Sequence, residues 1–240
     1  MGKRPTDARP RPRLDRGLIV QTAISLLDQE GLAGLTTRAL AARLEVQSPA
    51  LYWYVRDKNE LLDLVADAIC APILDLAGTP TADAGTDWRA RLEAGMRAYR
   101  SVLHSHRDAP RLLAERPPVG PARRRLADAA VGLVLEAGFP EAEAALISLV
   151  LSDFVISIVS EEIRLQAGKT QAPPGEPERN EPGENENPAD ASEYRNLARI
   201  TPHLATVKPD DLFEAGLGIL LDGIQSRLTH DRAAPRASRP

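Results

Sequence analysis

The sequence predicts an all-α protein: an N-terminal three-helix helix-turn-helix head, joined by a linking helix to an all-helical body. Three observations predict it. Apolar residues recur at helical spacing almost throughout, and the single alternating run, Val155 to Val159, sits inside a longer helical signal. Helix start and stop residues punctuate the chain at helical lengths, as at Asp15 and Gly31 or Pro121 and Gly138. Charge is also divided. Ten bases outnumber six acids through Lys58, so this head is net +4 and the remainder −8, within a total of −4.

Residues 1–14, with three prolines and five Arg or Lys, cannot form a core and read as a flexible basic arm suited to DNA phosphates or a minor groove. Asp15 caps a first helix whose apolar face is Ile19, Ala23, Leu26 and Leu27, and Gly31 ends it. Thr36 caps a second, short helix carrying Leu40, Ala41 and Leu44. After a turn through Glu45-Val46-Gln47, Ser48 as N-cap and Pro49 at the first helical position open a third. Leu51 and Val55 form its inward edge, leaving Ser48, Ala50, Tyr52, Trp53 and Tyr54 to point elsewhere. Small and aromatic residues on a short capped helix suit a DNA major groove. Spacing alone is equally consistent with two core helices whose aromatics are buried.

Asp57 caps the linking helix, with Glu60 three residues on in a capping-box pattern. Leu61, Leu62, Leu64, Val65, Ala68 and Ile69 make it amphipathic, and Pro72 closes or bends it. The loop Gly78 to Gly85 is the predicted seam between the head with its linking helix (15–77) and the body (78–230). In the body, Thr86 caps a helix bearing Trp88, Leu92, Met96, Tyr99 and Leu103. A turn at His106-Arg107-Asp108-Ala109-Pro110 leads to a brief helix stopped by Pro117-Pro118. Further helices open at Pro121, at Pro140 (through Gln166) and at Pro209 (through Leu228), the last with Phe213, Leu217, Leu220 and Ile224 inward. Residues 168–192, rich in Pro, Gly, Glu and Asn, read as a disordered acidic loop, and 231–240 as a flexible tail.

The composition excludes several classes. A lone Cys70 forms no internal disulfide, no secretory signal opens the chain, and the most apolar stretch, Ala144 to Val159, is too short to span a bilayer. A cytoplasmic protein without membrane attachment is expected. Four histidines, one cysteine and no Gly-rich phosphate loop or histidine–carboxylate metal motif argue against an enzyme. An acidic body argues against a non-specific architectural DNA binder.

The segments Leu14-Asp15, Gly34-Leu35-Thr36-Thr37-Arg38, Leu40-Ala41 and Pro49-x-Leu51-Tyr52-Trp53-x-Val55, followed by Lys58 and Leu61-Leu62-Asp63, resemble the tetracycline-repressor (TetR) family. Trp88, Ser105-His106-Arg107-Asp108, Arg116-Pro117 and Gly138-Phe139 are similar to the regulatory domain of the tetracycline-repressor branch itself, as is the apolar helix ending at Glu161. The resemblance implies a homodimer that binds a palindromic operator in double-stranded DNA and is released by a small-molecule effector. An activator would use the same residues.

By that resemblance Arg38 reads a base, Thr37, Tyr52 and Lys58 position phosphates, and Ser48, Pro49 and Ala50 occupy base-reading positions. Trp53 and Tyr54 complete the DNA-binding set, Tyr54 standing where the branch has a histidine. His106, Arg107 and Asp108 fall where the family couples pocket to head, and His104 and His106 read as structural rather than ligand-binding. The candidate effector residues are Tyr99, Leu113, Phe154, Ser157 and Glu161. The branch's magnesium–drug ligands are missing, with Leu74, Gly95 and Leu112-Leu113 at the positions of its two histidines and asparagine, and Tyr99 replacing a phenylalanine. Glu161 alone is a weak magnesium site. A larger, more apolar effector bound without metal or cofactor is expected. The helices from Pro140 and Pro209 should form a four-helix bundle between two protomers, because the first is apolar nearly all round.

Overall fold

A computed structural model describes residues 14–76, 87–170, 194–204 and 206–233. Among these the chain forms ten helices and no strand. The head comprises α1 (Arg16–Gly34), α2 (Thr37–Arg43) and α3 (Ser48–Leu51), and α4 (Lys58–Leu76) links it to the body. The body comprises α5 (Trp88–His104), α6 (Ala109–Glu115), α7 (Pro121–Ala137), α8 (Glu141–Thr170), α9 (Arg195–Leu204) and α10 (Pro209–Ala233).

The helix signals act as the sequence predicts at most ends. The Asp15 carboxylate accepts the Leu18 N–H at 2.8 Å, and Thr36 Oγ1 accepts the Ala39 N–H at 3.1 Å. Gly31, at φ 74°, breaks α1 one turn before its end. Gly138, at φ 108°, closes α7 in the left-handed conformation that glycine adopts without Cβ strain. Asp57 caps α4 through the Glu60 N–H at 2.9 Å, but the Glu60 carboxylate reaches the Arg56 N–H at 2.7 Å, one residue earlier than a capping box requires.

Several expectations need correction. Gln47, not Ser48, is the N-cap of α3, and Asp87, not Thr86, caps α5 with its carboxylate on the Arg89 N–H at 3.0 Å. Pro72 does not end α4, which continues to Leu76 because neighbouring helices hold it. Helix α8 runs to Thr170 and α10 to Ala233, so the acidic loop predicted from residue 168 and the tail predicted from residue 231 each take in a few residues that are helical. The arm through residue 13, the 78–85 seam, residues 171–193 and those beyond 233 lie outside the described residues. Helix α9 has no counterpart among the sequence expectations. Its Leu197, Ile200 and Leu204 are all about half exposed, so no buried face announces it.

One hydrophobic core runs from head to body. Ile19, Leu26, Leu27, Leu40, Leu51 and Val55 fill the head, and Leu61, Val65, Ile69 and Ile73 carry it along α4. Leu92, Leu103, Leu112, Val134, Leu151, Val155, Val159, Phe213 and Leu217 continue it through the body. Each such side chain contributes about 1.5–3 kcal/mol through area removed from water. Helix α4 packs on α1, α5, α6 and α7, which makes it an element shared by both halves. Glu141–Gln166 of α8 is long and apolar enough to cross a membrane, more than the shorter stretch read from sequence. It packs instead on α5, α6, α7 and α10.

Candidate nucleic-acid interface and its coupling to the body

Helices α2 and α3 are joined by a turn that hydrogen bonds fix closely. The Val46 N–H reaches back to the Ala41 carbonyl at 3.0 Å, and Glu45 adopts φ 55°, which lets the chain reverse within three residues. Past α3 the chain keeps turning, with the Val55 N–H on the Leu51 carbonyl at 3.0 Å. This places Leu51 and Val55 in the core, 0% and 1% exposed, and turns Tyr52 and Trp53 outward. Trp53 is 88% exposed and Tyr52 52%. Neither ring contributes to the buried core of the head. The core alternative for Tyr52 and Trp53 is thereby removed.

Arg38, Pro49 and Lys58 are likewise exposed, whereas Thr37, Ser48 and Ala50 are half-buried. Tyr54 is half-buried and packs against the core, so one of its ring faces serves the fold. Glu60 lies beneath this surface, paired with Arg16 of α1 and Arg56. The Arg56 backbone N–H, aided by both guanidinium groups, holds its carboxyl below the ordinary value of 4.5.

The body grips the head at two places. At the first, the turn after α5 reaches α1. The His106 ring lies against the Asp28 carboxylate at 3.1 Å, and the Arg107 guanidinium donates to the Gln29 carbonyl at 3.0 Å. The Asp108 carboxylate accepts the Leu32 N–H at 2.8 Å. The three candidate coupling residues are thus brought together on one segment of the head. At the second, on the linking helix, Arg116 donates to Asp63 at 2.7 Å, and Asp67 accepts the Arg123 N–H at 2.8 Å, tying α4 to the segment after α6 and to the first turn of α7. Sequence reasoning missed Asp67 and Arg123, for which no local pattern signals a contact 56 residues away.

The candidate effector residues do not share one environment. Tyr99 and Leu113 are buried, 6% and 3% exposed. Burial pushes the Tyr99 phenol above its usual range, although its hydroxyl bonds Ser152. Phe154 stacks on Phe213 with ring centroids 5.7 Å apart. Ser157 and Glu161 face outward, the latter paired with Arg164 on its own helix. The buried carboxylate is its neighbour Glu162, which receives Arg100 at 2.8 Å and His104. Arg100 also bridges to Asp210 and stands 4.7 Å over the Phe213 ring. A cavity of about 630 Å³ opens beside this cluster, lined by Arg97, Arg100, His104, Glu162, Asp210 and Glu214 among others. None of the five candidate effector residues lines it. Periodicity could not separate Glu161 from Glu162, because adjacent helical residues differ only in which face tertiary packing covers.

A helix-turn-helix with an exposed face, packed through a linking helix on an all-helical body that has its own cavity and polar links back to α1, is the architecture of a helix-turn-helix transcriptional regulator. Residues 19–65 match the family described as bacterial regulatory proteins, tetR family, and residues 79–228 match the tetracyclin repressor-like C-terminal domain. The chain belongs to the TetR family, as a ligand-responsive DNA-binding repressor. It is 35% identical to the tetracycline repressor protein class A from transposon 1721 of Escherichia coli, over 90% of this chain and 92% of that one. ActR from Streptomyces coelicolor, solved in complex with actinorhodin, superposes with a TM-score of 0.71 at 26% identity, covering 90% and 99% of the two chains. BioQ of Mycobacterium smegmatis, solved with its double-stranded DNA operator, gives 0.58 at 26% identity, covering 88% and 98%.

Proposed function

We propose that the protein binds a palindromic operator as a homodimer and is released by a small, largely apolar effector bound without metal. The exposure of Trp53, with Arg38 and Lys58 also exposed, carries the DNA-binding assignment. Arg38 reads a base, Thr37, Tyr52 and Lys58 hold phosphates, and Ser48, Pro49 and Ala50 meet base edges, with Trp53 and Tyr54 completing the surface. A two-fold dimer matches a palindrome whose half-sites lie about one helical turn apart.

Dimerisation is supported by Leu146, Leu149 and Val150 on α8 and Ile219 on α10, which are 52–73% exposed on the two longest helices. The effector reading rests on buried Tyr99 and Leu113 with Phe154, and on leucines standing where the tetracycline-repressor branch places metal-binding histidines. Residues 15–77 serve as head and linking helix and 78–230 as body. The chain acts in the cytoplasm and has no enzymatic role.

Selection from a random duplex pool at one near-physiological salt concentration tests the DNA reading, since phosphate contacts make affinity salt-dependent. An enriched inverted repeat supports it, and Arg38→Ala should cost about 1–3 kcal/mol and relax one position per half-site. Binding without enrichment would favour an architectural protein. Magnesium-dependent binding of tetracycline in calorimetry would overturn the metal-free effector.

A further inference from the structure

Arginines on α5 tie it to α10. Arg89 meets Asp222 at 2.7 Å, Arg97 meets Glu214 at 2.7 Å and Arg100 meets Asp210 at 2.6 Å, so ascending order on α5 pairs with descending order on α10. Both helices pack on α8, and the cavity of about 630 Å³ lies at the Arg97 and Arg100 end of this ladder. That volume falls within the range of small-molecule sites.

The two sides of the ladder differ. Arg100 is anchored from within the body. Its Nε and Nη2 donate to Glu162 at 3.2 and 2.8 Å, and its guanidinium rests 4.7 Å over the Phe213 ring. The Glu162 side chain is 2% exposed and is also held by His104, so it cannot leave. The carboxylates supplied by α10 are open to water, Asp210 at 81% and Glu214 at 47%. Such exposed pairs hold weakly, and either carboxylate stays solvated if it swings out. Arg97 also reaches Glu93 on its own helix at 3.4 Å, but Glu93 does not line the cavity. With the α10 carboxylates out, two guanidiniums one helical turn apart face the cavity against a single fixed carboxylate.

We propose that this cavity binds a small organic acid, whose carboxylates replace Asp210 and Glu214 on Arg100 and Arg97. The planar arginine fork takes a carboxylate through two parallel hydrogen bonds. The site is separate from the candidate effector residues, none of which lines it, and does not depend on their reading.

Calorimetry on the full-length protein tests this with glutarate, against neutral glutaramide at equal ionic strength. The wild type should bind glutarate saturably and glutaramide not at all. Asp210→Asn and Glu214→Gln remove the competing carboxylates, and each should tighten glutarate about 2- to 5-fold. Arg97→Gln and Arg100→Lys should weaken it about 10-fold or more, the lysine keeping a cation beside Glu162 while losing the fork. Tightening on removal of an acid is a response that a merely structural ladder does not give. Asp210 and Glu214 are exposed, so their variants decide the matter even where an arginine variant fails to fold. No glutarate binding to the wild type or to the Asp210→Asn/Glu214→Gln double variant overturns the proposal, as does equal binding of glutaramide. A glutarate affinity unchanged by all four single substitutions places the acid elsewhere and overturns it too.

Discussion

The Asp108 carboxylate accepts the Leu32 N–H at 2.8 Å across 76 residues of sequence, so a turn of the body serves as a cap inside a helix of the head. The arrangement needs Gly31. Its φ of 74° opens α1 and frees the Leu32 N–H, and a Cβ there would stand 2.7 Å from Asp108 Oδ2. Asp108→Ala leaves a partly buried donor unpaired, which should cost about 1–3 kcal/mol. A lower thermal midpoint should accompany it. Gly31→Ala should weaken the same link from the other side through backbone strain and close contact. Combining the two should cost less than the sum of the singles, as a double-mutant cycle would register.

Leu51 and Trp53 separate fold from function within one turn of chain. Leu51→Ala empties a fully buried site and should destabilise the head by about 2–5 kcal/mol in denaturant unfolding. Trp53→Ala should leave stability within about 0.5 kcal/mol, as for an exposed site, yet weaken DNA binding in a titration against the selected operator. A large stability loss in Trp53→Ala would return the indole to a structural role.

The outward faces of α8 and α10 give the proposed dimer its own test. Leu149→Glu and Ile219→Glu change side chains that are 62% and 73% exposed in a single chain, so the protomer should still fold. Light scattering should then report a monomer, and operator affinity should fall by roughly 10²- to 10⁴-fold as two linked half-site contacts become one. An unchanged dimer would place the interface elsewhere.

Glu60 predicts a pH dependence. Its folded pKa lies below the ordinary 4.5, so the unfolded chain takes up the proton first. The associated stability is complete above that unfolded value and is lost as pH falls through the lower folded one. Glu60→Gln should therefore reduce the thermal midpoint near neutral pH, and the gap from wild type should close below about pH 4.5. With Arg16 and Arg56 half to largely exposed, each ion pair contributes only about 0.2–1 kcal/mol.

The sequence determined what local physics controls. Helical periodicity and capping residues located nine of the ten helices among the described residues, because a cap, an N1 proline or a C-terminal glycine acts within four residues of itself. Side-chain order along α3 likewise implied that Leu51 and Val55 turn inward. Tertiary structure decided everything that depends on which face another element covers. Only the packed head leaves Trp53 in water while turning Tyr54 partly inward, and only the seating of α8 against α5 and α10 buries Glu162 rather than Glu161. Helix α9 escaped the sequence reading because none of its apolar residues is buried among the described residues. The bonds from Asp108 to α1 and from Asp67 to α7 span 76 and 56 residues, a separation at which pattern carries no information and packing alone sets the contact.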